Sequence, residues 1–201
     1  MAKGSHYCVP YRRRHEGKTD YRARRALVIS GKPRLVVRST LKNVTAQIIV
    51  AKPHGDEVLV SAHSKELGNY EWKTPEGNIP SAYLTGLLCG LKAKAKGLEQ
   101  AILDIGLRSP SKGARVFAVL KGVLDAGIEV PHTEEKLPDE ERIEGKHITQ
   151  YAESMSSTPE KYQSTFSQYI KQNLPPENLT KVLAEAKSAM MAAFKNGGKD
   201  K

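Results

Sequence analysis

Arg12, Arg13, Arg14, Lys18, Arg22, Arg24 and Arg25 fall within the fifteen residues YRRRHEGKTDYRARR, Tyr11 to Arg25, against only Glu16 and Asp20. Guanidinium groups make planar, two-pronged contacts with phosphate and stack on bases, and Arg outnumbers Lys in this stretch. Tyr7, Tyr11 and Tyr21 are interleaved with the cations, and phenol rings stack on bases or ribose. The stretch contains no Val, Ile, Leu, Phe or Met, so it cannot build a hydrophobic core of its own. This combination reads as a nucleic-acid-binding arm, for RNA more than for DNA. A merely solvated tail is the competing reading, and it gains nothing from exposed phenols.

The charge distribution isolates the arm. Residues 1–52 hold thirteen Lys or Arg against two acids, a net of +11, whereas residues 53–201 hold nineteen against twenty, a net of −1. An extended arm of ~25 residues at ~3.3 Å each would span up to ~80 Å and follow an RNA groove. Ordering it costs ~1–2 kcal/mol per residue, which phosphate contacts and counterion release must offset, so affinity should fall with salt. Glu16 and Asp20 either orient neighbouring arginines or break the charge density.

An arm needs a rigid anchor, and the next hundred residues supply its pattern. Arg34 to Thr40 and Val44 to Ala51 are short β-branched runs joined by Leu41, Lys42 and Asn43, which predicts an antiparallel hairpin. Pro53 to Asp56 form a second turn before Glu57 to His63, a third strand of a meander. Residues 67–78 read as a loop carrying the only tryptophan, Trp72. A helix starting at Pro80 or Ser81 then places Leu84, Leu87, Leu88, Leu91 and Ala95 along one face, with Gly97 ending it. Gly86 and Gly90 on this helix are expected to allow close packing against the sheet, since no phosphate-loop pattern surrounds them. Ala101 to Ile105 reads as a buried strand reached by a parallel crossover, followed by a helix with Val116, Val119, Leu120, Val123 and Leu124 inward.

The fold class expected is therefore α/β: a three-stranded antiparallel meander plus a parallel crossover strand with two packed helices, an extended basic N-terminal arm and a C-terminal helical extension. The expected division is an arm over 1–30, an α/β core over 31–132, an acidic loop over 133–145 and helices over 146–201. Three helices are predicted in that last part, Lys146 to Met155, Thr158 to Gln172 and Pro176 to Phe194, before a short GGKDK tail of low complexity.

Other chemistries find little support. Backbone amides near Lys112, Gly113 and Arg115 could hold a phosphate, or the helix there is simply capped by Ser109 or Ser111. A metal-dependent nuclease would need converging carboxylates for Mg²⁺; Asp104, Glu99 and Asp125 are near in the pattern but form no DxD or ExK pair. Cys8 and Cys89 make neither a disulfide framework nor a zinc site, and no catalytic triad order is recognisable. No cofactor is expected. No apolar run approaches the ~20 residues of a membrane span, no signal region precedes the arm, and the pI near 9.5 favours a polyanionic partner. A cytosolic chain without a membrane partner is expected.

Taken together, RRRHEGKTDYRARRALV (Arg12 to Val28), LVVRSTLKNVTAQII (Leu35 to Ile49), AYLTGLL (Ala82 to Leu88), KGARVFAVLKGVLDAGIEVPH (Lys112 to His132) and FSQYIKQNLPPE (Phe166 to Glu177) resemble a universal large-subunit ribosomal protein family, in that family's order. It is the family that binds 5S rRNA, numbered eighteen in bacteria and archaea and five in eukaryotes. The helices after Lys146 resemble its archaeal and eukaryotic branch, and the chain lacks the internal insertions of eukaryotic members, so the archaeal form is the better match. The resemblance implies a structural component of the cytoplasmic large subunit, not an enzyme. It would hold 5S rRNA against the large-subunit rRNA in the central protuberance, beside neighbouring ribosomal proteins. Carried over by motif, the RNA-binding residues are Arg12, Arg13, Arg14, Lys18, Thr19, Tyr21, Arg22, Arg24 and Arg25 in the arm. To these are added Arg38, Thr40, Lys42 and Asn43 in the hairpin and Ser111, Lys112 and Arg115 at the second helix. Lys32 and Arg34, with Arg38, are expected to extend the basic track onto the sheet edge.

Overall fold

The computed structural model describes residues 4–155 and 158–195; the GGKDK tail lies outside the described residues. Strands β1 (Arg34–Ser39), β2 (Val44–Lys52) and β3 (Gly55–His63) form the antiparallel meander, and β4 (Ile102–Asp104) pairs parallel with β1, giving the order β3-β2-β1-β4. Alternation along β1 divides its side chains between two faces. Leu35 and Val37 are fully buried beneath helices, while Arg34, Val36 and Arg38 lie on the opposite face. The second turn is tighter than expected: β3 begins at Gly55, whose φ of 142° suits glycine.

One face is covered by α3 (Ile79–Ala95) and α4 (Arg115–Asp125). The Asn78 side chain accepts the Ser81 N–H at 2.8 Å to cap α3, and Gly97, at φ 73°, follows its end. Leu84, Leu87 and Leu88 are fully buried. The expectation for Gly86 and Gly90 needs correcting: they face α4, not the sheet. A Cβ on Gly90 would stand 2.5 Å from Ala126 Cβ, one on Gly86 would run into the Val119 backbone, and Gly122 of α4 is pressed in return against Tyr83 and Leu87. Positions 86 and 90 lie across the helix from Leu84, Leu88 and Leu91. The large side chains thus meet the sheet, and the bare side lets two backbones approach.

The arm departs from extended chain. It carries α1 (Arg12–His15) and α2 (Tyr21–Ile29). Asp20 caps α2, its carboxylate accepting the N–H groups of Arg22 at 2.9 Å and Ala23 at 3.2 Å. Arg, Ala and Leu in YRARRALVI then favour the helix by propensity. Helix α2 lies over the face of the sheet that α3 and α4 leave open, with Ala23, Ala26 and Leu27 opposite Val36, Gln47 and Ile49.

Residues 67–78 are not all loop. Ser64–Tyr70 form a 3₁₀ helix capped reciprocally by His63 and Glu66, and Trp72 is buried in the core. The acidic stretch after His132 likewise contains a 3₁₀ turn (Glu134–Lys136) and α5 (Glu140–Ile143). Beyond it, α6 (Lys146–Met155), α7 (Pro159–Thr165), α8 (Ser167–Lys171) and α9 (Leu179–Lys195) follow. The helix expected over 158–172 breaks at Phe166 (φ −100°, ψ 23°), whose ring is buried against Tyr162 and Tyr169. Ile143, Ala152, Phe166, Tyr169, Leu179, Leu183, Ala186 and Met190 join the same hydrophobic cluster as the α3 leucines. Helix α9 packs on α3, with Lys187 Nζ 5.4 Å above the Tyr83 ring.

Candidate nucleic-acid interface

The outermost cations sit on α1, α2 and the turn between them. Arg12 and Lys18 both reach Glu16, at 3.6 and 2.9 Å, and Arg13 Nε donates to Thr19 Oγ1 at 3.0 Å. Gly17, at φ 63°, makes the turn that closes this loop of cations. Glu16 therefore orients its neighbours, while Asp20 serves the helix backbone. Arg14, Arg22 and Arg25 are exposed and their side chains bond nothing among the described residues. The Tyr11 and Tyr21 rings lie 4.8 Å apart, tilted by 43°, and tie α1 to α2. Tyr11 stays 69% exposed, and Tyr7 is exposed as well.

Beneath them runs an alternating chain of charge. Arg24 grips Asp56 with both guanidinium nitrogens, at 2.8 and 2.7 Å. Arg34 lies 2.8 Å from the same carboxylate and donates to Asp104 at 3.1 Å. Arg38 donates to Asp104 Oδ1 at 3.0 Å and to its carbonyl at 2.8 Å, and the Gly106 N–H adds 2.9 Å to that carboxylate. The Arg24 hydrogen bonds, helped by Arg34, hold the Asp56 carboxyl down at about 2 against the opposing effect of burial. Arg24 itself is raised by the same bond. Arg34, expected on the basic track, has a side chain only 3% exposed: it joins the arm's anchor to the sheet instead of facing solvent.

A second group gathers at the opposite end of β1. The Thr40 hydroxyl and N–H both bond the Asn43 carbonyl, at 3.0 and 2.8 Å, and close the β1–β2 turn. Arg115 Nη1 donates to the carbonyls of Thr40 at 2.8 Å and Gly77 at 2.9 Å, and Arg108 Nη2 donates to Ser39 O at 2.6 Å. Arg115 thus positions the hairpin; Arg108, which no sequence pattern singled out, does the same. Lys42, Ser111 and Lys112 remain exposed. The residue preceding α4 is Ala114, without a side-chain cap, so neither Ser109 nor Ser111 caps it. Lys32 stands apart from both groups, lining a shallow depression with Gln100, Glu129 and His132.

Two of the three carboxylates considered for metal chemistry are engaged elsewhere, and the third, Glu99, is exposed. Asp104 serves Arg34 and Arg38, and Asp125 accepts the Tyr83 hydroxyl at 2.8 Å. Among the described residues no three His, Cys, Asp or Glu converge as metal ligands. Cys8 is exposed and Cys89 buried, with burial pushing its thiol up to about 12. Among the described residues no helix is long and apolar enough to cross a membrane.

The profile of the family described as ribosomal large-subunit proteins 60S L5 and 50S L18 matches residues 5–99 and 92–133. The match takes in the arm, the sheet, both packed helices and every residue of the two cationic groups. The chain belongs to that family of large-subunit ribosomal proteins, the 5S rRNA-binding family its motifs resemble.

Proposed function

We propose that this protein anchors 5S rRNA to the large-subunit rRNA in the central protuberance of the cytoplasmic large subunit, next to neighbouring ribosomal proteins. The observation that carries it is the arrangement of the arm. Arg12, Arg13, Arg14, Arg22 and Arg25 point to solvent from helices that Arg24 and Arg34 fasten to the sheet through Asp56. The anchor spends its cations inward and leaves the outer ones for phosphate. Arg38, half exposed, and the turn residues Thr40, Lys42 and Asn43 continue the surface. Lys112 and Ser111 complete it at the start of α4, where the first-turn amides of an uncapped helix favour an anion. RNA shape and 2′-hydroxyls are read more than base sequence. The role is structural, and no cofactor takes part.

The division into an arm over 1–30, a core over 31–132, an acidic connection over 133–145 and helices over 146–201 belongs to the same reading. The test is the triple substitution Arg12→Ala, Arg13→Ala, Arg14→Ala in the full chain, titrated with 5S rRNA at several salt concentrations. Binding should weaken, and the log–log salt slope should shrink by about 0.9 per lost phosphate contact, with thermal unfolding unchanged. Affinity equal to the parent chain at physiological salt overturns the proposal. Incubation with RNA and Mg²⁺ should leave the RNA intact.

A further inference from the structure

We propose a second RNA site, in which a ribose–phosphate strand lies in the cleft between the β1–β2 turn and α8. The cleft has a volume of about 820 Å³. One wall is formed by Lys42 and Asn43 of the turn with Lys65 of the 3₁₀ helix, and the other by Gln168, Lys171 and Gln172. All of these side chains except the half-buried Asn43 are exposed. The site shares no residue with the groove under the arm, and its second wall lies beyond residue 133, where the family match ends.

The chemistry of the lining selects the occupant. Lys42, Lys65 and Lys171 form no ion pair among the described residues, whereas Lys92, Lys121 and Lys146 are each matched with a carboxylate. The one acid in the lining, Glu76, accepts the Ser64 hydroxyl at 3.1 Å. Ammonium groups at the walls with side-chain amides between them suit phosphates and 2′-hydroxyls. A protein partner would need an exposed apolar centre, but Phe166 and Tyr169 are buried beneath the cleft, Pro75 and Ile148 are half-buried in its lining, and Leu41, 86% exposed, stands at its rim. Lys42 also joins the cleft directly to the hairpin surface proposed above. The inference rests on that reading of an rRNA-binding protein, and extends the contact surface to the C-terminal helices.

The experiment compares the full chain with Lys65→Ala/Lys171→Ala and with a control, Lys161→Ala/Lys181→Ala, which removes the same charge from exposed lysines outside the cleft. Each is titrated separately with 5S rRNA and with large-subunit rRNA across a salt series. The cleft pair should weaken binding to one of the two RNAs and reduce its salt slope by about two, one per lysine, with the control nearly unchanged and unfolding temperatures equal. The RNA affected identifies the source of the strand. Unchanged binding of both RNAs, or equal losses in both pairs, overturns the site. The arm substitutions keep the two readings apart: if they weaken 5S rRNA binding while the cleft pair does nothing, only the cleft fails.

Discussion

Arg24 reaches Asp56 across 32 residues of sequence, with its two terminal nitrogens 2.8 and 2.7 Å from the two carboxylate oxygens. Asp56 is shared with Arg34, so one carboxylate links the arm to the sheet. Paired forks of this kind fix orientation as well as adding energy. Replacing Asp56 with Asn removes the charge that both guanidinium groups face. The expected loss of stability is about 1–2 kcal/mol, moderated by solvent around the partly exposed pair. Trypsin cleavage after Arg24 and Arg25 should accelerate relative to cleavage in the core. Unaltered cleavage there would show that the arm is held by something other than this pair.

The same carboxylate gives the arm a pH dependence. Its folded value near 2 lies below the ordinary carboxylate value near 4. A depressed carboxyl stabilises the folded arrangement fully above the unfolded value and loses that contribution as pH falls through the folded one. Protection of the α2 amides from hydrogen exchange should therefore be level above pH ~4, once intrinsic rates are corrected, and decline toward pH ~2. In Asp56→Asn the decline should vanish.

The strands were legible because β-branched runs such as LVV and IIV alternate or cluster over strand lengths, and turn residues punctuate them. Helix α2 was not, because its apolar row, Ala23, Ala26 and Leu27, is short and buries no residue; its support is a long-range ion pair. Arg34 looks like one more cation until Asp56 and Asp104, from separate strands, converge on it. Gly86 and Gly90 advertised a close approach, yet the spacing is silent on which of two flanking layers makes it. Arg108 and Arg115 bond backbone carbonyls, which have no sequence signature.

The contact between α3 and α4 offers a test free of RNA. A methyl group at Gly86 would meet the Val119 backbone, which cannot rotate aside as a side chain can. Overpacking of this sort costs about 1–3 kcal/mol. Gly86→Ala should lower the unfolding temperature by several degrees for a chain of this size, whereas Gly68→Ala, with open space around it, should cost far less. Equal unfolding temperatures would contradict the helix contact.

Arg115 separates positioning from contact. Its Nη1 holds the Thr40 and Gly77 carbonyls together, and Gly77 in turn packs so closely that an added Cβ would stand 2.6 Å from Leu41 O. Lysine keeps the charge, but its flexible ammonium lacks the planar, fixed N–H directions with which one guanidinium nitrogen serves both acceptors. Arg115→Lys should raise hydrogen exchange at the Asn43 and Thr40 amides and lower stability by about 1 kcal/mol. It should weaken 5S rRNA binding with little change in the salt slope, since the net charge is conserved. Removing a phosphate contact instead, as in Lys112→Ala, should reduce that slope by about one and leave the turn amides protected. If Arg115→Lys lowers the slope and spares the turn, the guanidinium serves RNA directly and the positioning role is wrong.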